Sequence, residues 1–503
     1  MATVAPAFHD RAPFGVAGLD DILGGGLTPS RIYLLEGTPG TGKTTLALQF
    51  LLKGRELGES GLYITLSETD VELRAVAASH GWSLDDLSIH ELVNEAGLDP
   101  DAEQSILHPS EVELGETTRA IMHRVEAERP ARVVFDSLSE MRLLAQNPLR
   151  YRRQILALKH FFANRACTVL LLDDQTASAN DLQLHSIAHG VITLEQMAQD
   201  FGTQRRRLRV VKMRGIKFRG GYHDFALETG GIEVFPSLVA AEHRRDFEPA
   251  LLETGSEGLD ALMGGGLARG TNTLLMGPSG VGKTTTAIRC ILTALQRGET
   301  CAYFLFDEGL ATLLARAGAM SMDLQPFIDN RQLLIRQIDP AEVSPGEFSG
   351  WVRQAIAEQH ATYVVIDSLN AYLQAMPGEK FLLLQMHELL SYLNQLGIVT
   401  LLVLGQHGLL GDVRSDVDLS YLSDAILLFR FFEAKGEILT AVSVVKSRAS
   451  AHERTIREFR LGATGVRVGE ALTDFRGVMT GVQTYAGAMA MLPADPVQAE
   501  SPD

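Results

Sequence analysis

The sequence predicts an α/β protein made of two tandem copies of one domain, each a mostly parallel sheet flanked by helices. Three observations predict this. Two glycine-rich loops each end in Gly-Lys-Thr-Thr. Whole strings of residues recur in the same order through both halves. Short apolar runs alternate with helix-length segments, the pattern of strands buried on both faces.

The duplication sets the domain organisation. Gly18-Leu19-Asp20, followed by Gly24-Gly25-Gly26-Leu27, returns as Gly258-Leu259-Asp260 and Gly264-Gly265-Gly266-Leu267. Lys43 and Glu68 return 240 residues later as Lys283 and Glu308. Val134-Phe135-Asp136-Ser137 returns as Val365-Ile366-Asp367-Ser368, and Lys212-Met213-Arg214 as Lys446-Ser447-Arg448. Chance matches would not keep this order, so one domain has been copied. The domains are placed at 1–245 and 246–485, with a frayed tail at 486–503 that is rich in Ala, Pro and acids.

In each half a strand (Arg31–Leu35; Thr273–Met276) feeds the glycine-rich loop and then a helix. A strand follows at Gly61–Leu66 or Cys301–Phe306, then a helix and the apolar strand that ends in Asp136 or Asp367. The next apolar strands are Thr168–Leu172 and Val399–Leu404.

The loops carry the chemistry. Gly37 to Thr44 contains Thr38, Gly40, Thr41 and Gly42, with Thr45 after it. Gly277 to Thr284 contains Ser279, Gly280, Val281 and Gly282, with Thr285 after it. Glycines let backbone N–H groups turn inward around phosphates, and the following helix adds its positive end. Lys43 and Lys283 would reach the terminal phosphates of ATP, and Thr44 and Thr284 would ligate Mg²⁺. A glycine-rich turn with an incidental lysine is the bland alternative, and two matches in register, each between a strand and a helix, count against it.

An aspartate at the carboxyl end of a buried parallel strand faces the ligand crevice, so Asp136 and Asp367 are the candidates to complete the Mg²⁺ site. Without a loop upstream, helix capping would be the better account of either. Glu68, and Asp307 with Glu308, also follow strands, where a carboxylate can orient water or take a proton, or can serve a helix start. Lys212 and Arg214, like Lys446 and Arg448, are two residues apart on a strand and share a face. Two accounts stand side by side: a γ-phosphate contact, most naturally to a neighbouring subunit's nucleotide, or a solvated charged edge.

Composition narrows the function classes. The 503 residues are 46% hydrophobic, too many for a disordered chain, and carry a net charge of −17. So acidic a surface makes duplex DNA an unfavourable partner. The dense basic run Arg205-Arg206-Arg207-Leu208-Arg209 has two accounts, a nucleic-acid contact and a solvated strand start, and so acidic a chain favours the second. Three scattered cysteines, Cys167, Cys290 and Cys301, form neither a disulfide framework nor a zinc motif. No apolar run is long enough to span a membrane, and the expected location is the cytoplasm.

With these residues in place, the chain from Pro13 to Tyr485 resembles the KaiC family, RecA-like ATPases with two fused domains that include the ATPase of the cyanobacterial circadian clock. The resemblance implies a two-tiered homo-hexamer holding ATP between subunits. The first tier would hydrolyse ATP slowly and the second would transfer phosphate to hydroxyls near the subunit interface. In the family those hydroxyls belong to an adjacent Ser-Thr pair before the Lys-x-Arg strand. Here Ser420 matches the serine and Tyr421 replaces the threonine, with Ser423 a weaker candidate. By the same matching, Asp307 and Glu308 take the place of paired glutamates, and Ser67 replaces the first acid of the N-terminal pair. Lys212, Met213, Arg214, Lys446, Ser447, Arg448, Ser450 and His452 match nucleotide-contacting positions, whereas Ile216 and Phe218 do not match their polar counterparts. Thr473 to Val478 resembles a loop that controls autophosphorylation. A KaiB-like protein or a sensor histidine kinase with its response regulator are the partners suggested by analogy. The competing classes are a RecA- or RadA-like DNA motor, and a scaffold that uses ATP only to assemble.

Overall fold

Alternate residues of the central strands divide into two apolar sets, as a sheet covered on both faces requires. In the first half Tyr33, Leu35, Tyr63, Val134, Leu170 and Leu172 pack on one side. Ile32, Leu34, Leu62, Val133, Phe135, Val169 and Leu171 pack on the other. The computed structural model in which this is seen describes residues 11–92, 109–145, 147–163, 165–175, 183–198, 202–374, 382–406, 420–434, 436–462, 465–478 and 484–485. The tail expected at 486–503 lies outside the described residues.

The chain divides into two compact units, one built from residues up to Ser237 together with Ser344–Gly350, the other from the remainder. In the first unit the strands are β1 (Ile32–Gly37), β2 (Gly61–Thr65), β3 (Ser88–Glu91), β4 (Arg132–Asp136), β5 (Thr168–Asp173), β6 (Gly190–Met197), β7 (Arg205–Met213), β8 (His223–Glu228) and β9 (Gly231–Phe235). They form one sheet in the order β3-β2-β4-β5-β1-β6-β7-β8-β9. The six strands from β3 to β6 run parallel, and β7 to β9 add an antiparallel extension. Helices α1 (Ala17–Ile22), α2 (Lys43–Glu56), α3 (Asp70–Ser79), α4 (Pro109–Glu128), α5 (Leu138–Ala145), α6 (Pro148–Ala163) and α7 (Gln183–Ile187) make the connections.

The second unit opens with a two-stranded ribbon, β10 (Leu251–Leu252) and β11 (Leu267–Ala268). Its main sheet comprises β12 (Asn272–Gly277), β13 (Cys301–Leu305), β14 (Leu333–Gln337), β15 (Tyr363–Asp367), β16 (Val399–Gly405), β17 (Ala425–Ala434), β18 (Glu437–Ser447), β19 (Arg457–Gly462) and β20 (Gly465–Ala471). The order β14-β13-β15-β16-β12-β17-β18-β19-β20 repeats that of the first sheet, so the copied sequence folds to the copied topology. Its helices are α8 (Glu257–Met263), α9 (Lys283–Gln296), α10 (Leu310–Ala319), α11 (Gln325–Asp329), α12 (Pro345–Gln359, of which the residues up to Gly350 count with the first unit), α13 (Leu369–Gln374) and α14 (Leu382–Gln395). A last ribbon, β21 (Phe475–Arg476) with β22 (Thr484–Tyr485), includes part of the segment likened to a regulatory loop, and Phe475 packs edge-on against Phe432.

Among the described residues no helix is long and apolar enough to cross a membrane, and all three cysteines are free and buried. The basic run is β7 itself: Arg205 is buried, Arg207 pairs with Glu195 at 2.8 Å, and its guanidinium lies 3.9 Å from the Tyr222 ring centroid. Arg205 and Arg207 are engaged within the sheet, while Arg209 is exposed.

Candidate functional site

The glycine-rich loops leave the carboxyl ends of β1 and β12, the central parallel strands, and run directly into α2 and α9. Each helix is preceded by a left-handed glycine, Gly42 or Gly282, both at φ 96°. Neither helix has a side chain capping its first turn, so its leading N–H groups are left for a ligand. A Cβ at Gly42 would lie 3.2 Å from Ile232 Cδ1, and one at Gly282 would lie 2.9 Å from Leu461 Cδ1. Thr38, Gly40, Ser279 and Gly280 are exposed at the loop crests, while Thr41, Val281, Thr45 and Thr285 are buried beneath them.

Both lysines fold back over their own loops. Lys43 Nζ donates to the carbonyls of Gly37 (2.8 Å) and Thr38 (3.1 Å), and Lys283 Nζ to those of Gly277 (2.8 Å) and Pro278 (2.7 Å). Burial lowers the Lys283 ammonium to about 8, against an opposing pull from Asp367 and Asp307.

The strand-end aspartates are each held by a tyrosine of the neighbouring strand. Asp136 Oδ2 accepts a 2.6 Å hydrogen bond from the Tyr63 hydroxyl, and Asp367 Oδ2 an equal one from Tyr303. Thr284 bonds to Asp367 and Thr44 to Tyr63, so threonine, tyrosine and aspartate converge at each loop. Burial raises both carboxyls above the ordinary aspartate range, opposed by the tyrosine hydrogen bonds. A hydroxyl and a carboxylate are the hard oxygen donors that suit Mg²⁺.

Glu68 and Glu308 stand one residue before the helix caps, Thr69 and Gly309. Here the halves diverge. Glu68 Oε2 is buried without a hydrogen-bond partner, and burial first, then the Asp136 charge, raises its carboxyl to about 7. Glu308 instead forms a 2.7 Å ion pair with Arg316, and Asp307 accepts a hydrogen bond from Ser368. In the first unit Lys43 also pairs with Asp174 at 2.8 Å. Strand register places Gly405 at the corresponding point of the second unit. The second site opens into a 640 Å³ cavity lined by Lys283, Thr284, Asp307, Glu308, Arg316 and Asp367, among others.

The Lys-x-Arg pairs lie elsewhere. Lys212 pairs across the sheet with Val191, which faces Leu34 near the start of β1, and Lys446 pairs with Ile426 near the start of β12. Both are therefore at the opposite sheet edge from the loop of their own chain. Arg214 and Arg448 fall one residue past their strands, a correction to the expected on-strand alternation. Lys212 donates to the carbonyls of His185 and Ala188 (2.8 Å), and Arg214 to that of Ser186 (3.1 Å). Lys446 donates to the Ser423 carbonyl (2.6 Å), and Arg448 lies 3.6 Å from Asp424. The Met213 side chain is buried in the core, which leaves only its backbone for any ligand. Ser450 bonds to Ser447 (3.1 Å) and to the Met263 carbonyl (2.8 Å), and His452 is half-buried nearby in sequence.

Ser420 begins a one-turn 3₁₀ segment, Ser420–Leu422, at this same far edge, because the N–H of Asp424 donates to Asn272 O at the start of β12. The Ser420 side chain lies outside the described atoms; Tyr421 is 50% exposed and Ser423 fully buried.

Sequence reasoning missed Tyr63, Tyr303, Asp174 and Arg316. The tyrosines carry a signal, since they recur at the 240-residue offset in the strand beside each aspartate. Asp174 follows an apolar strand as Asp136 does, but only the strand order sets β5 against β1. Arg316 has Val76 at its equivalent position and nothing local marks it.

Compared with known proteins, the family model described as "ATPase: KaiC" matches residues 12–239 and again 252–473. The chain is 26% identical over 477 residues to the circadian clock protein KaiC3 of Synechocystis, covering 94% of each chain. It is 27% identical over 484 residues to the circadian clock oscillator protein KaiC of Synechococcus elongatus, covering 93% of this chain and 91% of that one. With the oscillator protein of Thermosynechococcus vestitus it shares 26% over 492 residues, 94% of this chain and 92% of the relative.

Proposed function

The chain belongs to the KaiC family of ATPases, and from that membership we propose a magnesium-dependent enzyme with two unlike ATP sites, one hydrolysing ATP and one phosphorylating its own assembly. The observation that carries this is the repeated convergence of lysine, threonine and a tyrosine-held aspartate at the mouths of two equivalent strands.

In each site the loop N–H groups and Lys43 or Lys283 bind and orient the phosphates. Thr44 with Asp136, and Thr284 with Asp367, would hold Mg²⁺, which when bound would offset charge on the phosphate oxygens. In the first site Glu68 takes the proton of the attacking water. Its carboxyl near 7 is poised for that work, and the Ser67 substitution leaves it unaccompanied. In the second site Asp307 and Glu308 take the proton from an acceptor hydroxyl, on Ser420 or Tyr421.

Register supports transfer between neighbouring subunits. The acceptor segment and the loop sit at opposite ends of β12, about 16 Å apart for five residues of strand. Lys446 and Arg448 stand at the acceptor end, ready to contact a neighbour's phosphates along with Ser450 and His452. A ring of six copies would place each loop against the next subunit's far edge. A phosphate added there changes the interface by nearly two charges, which suits a signalling or timing switch. A KaiB-like protein or a histidine kinase system would receive its output.

Mass spectrometry after incubation with Mg-ATP tests this, with Ser420→Ala alongside. Phosphate at Ser420 or Tyr421, lost or relocated in the variant, is the expected result. ATP turnover without any incorporated phosphate would remove the kinase and leave a double ATPase.

A further inference from the structure

The two sites share their lysine, threonine and aspartate, and the second adds an arginine that the first unit does not have at the same position. Arg316 projects from α10 into the cavity, where it and Lys283 are the two cationic residues of the described lining. At the equivalent place on α3 the first unit has Val76. The guanidinium is only partly used. Its Nη2 binds Glu308 Oε2 at 2.7 Å, while its Nε is buried with no hydrogen-bond partner. A buried guanidinium N–H aimed at no acceptor costs free energy unless a ligand completes it.

We propose that Arg316 senses the terminal phosphate of ATP in the second site: it leaves Glu308 for that phosphate and thereby frees Glu308 to accept a proton. The inference rests on the second site binding ATP as argued above. A terminal phosphate presents more charge than a carboxylate and three acceptor oxygens, and a guanidinium fork matches two of them at once. While Arg316 holds Glu308, that carboxylate oxygen is committed to the ion pair and cannot take up a position against an acceptor hydroxyl. ADP lacks the γ-phosphate, so the ion pair persists and the base stays engaged. The site is thus armed by ATP and disarmed after phosphate departs. The first unit has Val76 where Arg316 stands, and its Glu68 carries no ion-pair partner among the described residues.

The test uses the full chain carrying Lys43→Ala, so that nucleotide binding reports the second site. Affinities for Mg-ATP and Mg-ADP are measured in this parent, in Arg316→Val, which installs the first unit's residue, and in Arg316→Lys, with circular dichroism to establish that each is folded. Arg316→Val should weaken ATP about ten-fold, the scale of one charge-assisted hydrogen bond. ADP binding should move by less than about two-fold, within the range of an uninvolved surface change. Arg316→Lys should recover part of the ATP affinity, since it restores charge without the fork. Equal losses for ATP and ADP, or no loss for either, would overturn the proposal. A parent that binds neither nucleotide would instead overturn the assignment of the second site, and this inference with it.

Discussion

Replacing Asp174 with Asn should make the first site bind ATP more tightly and work at lower pH. In the folded chain Lys43 is held by Asp174 at 2.8 Å, with the lysine 7% and the aspartate 29% exposed. To reach phosphates the ammonium must give up that carboxylate. A hydrogen bond to a charged group contributes about 1.5–3 kcal/mol. The lower end applies here, because Asp174 is partly solvated and Asn keeps a neutral acceptor. A gain of about 1.4 kcal/mol corresponds to about ten-fold in affinity. The same carboxylate is one of the charges that raise Glu68. A base works when deprotonated, so first-site turnover should fall as pH drops through about 7 in the natural chain. With Asp174→Asn that acid limb should move to lower pH. Titration with a fluorescent ATP analogue and a pH–rate profile, both in a Lys283→Ala chain, measure the two effects. Unchanged affinity together with an unmoved limb would refute the reasoning.

Other outcomes follow from the same geometry. Lys283 is pushed down to about 8 by burial, and phosphate should restore its charge. Nucleotide binding at pH 8 should therefore take up about half a proton at the second site, measurable by calorimetry in buffers of different ionisation enthalpy. Gly42→Ala should lower the melting temperature and weaken first-site binding. A left-handed conformation costs a non-glycine residue about 1–2 kcal/mol, and Ile232 crowds the new methyl. Lys446→Ala should reduce phosphate incorporation while leaving ATP bound at its own chain's loop; transfer at the natural rate would exclude a contact across subunits. Glu68→Gln should stabilise the chain above pH 7. A carboxyl raised from 4.5 to about 7 makes the folded state lose stability as pH climbs through that interval, and the amide removes the loss.

The sequence by itself determined the parts that are written contiguously. The phosphate loops, their lysines, the strand-end aspartates and the duplication were all legible, because each depends on the backbone conformation of neighbouring residues or on direct repetition. Glycine at positions 42 and 282 specifies a left-handed turn wherever the chain goes next. Only the tertiary structure decided what those groups face. Tyr63 reaches Asp136 across 73 residues because β2 lies beside β4. Asp174 meets Lys43 because β5 lies beside β1, and Arg316 meets Glu308 because α10 turns that face into the cavity. The same strand order sets Lys212 and Lys446 at the end of the sheet opposite their own chain's loops, which spacing alone left open. Local motifs fix what chemistry a residue can do, but its charge partners are set by which strands pair. That choice follows from burying two apolar faces at once, a property of the whole sheet rather than of any one segment.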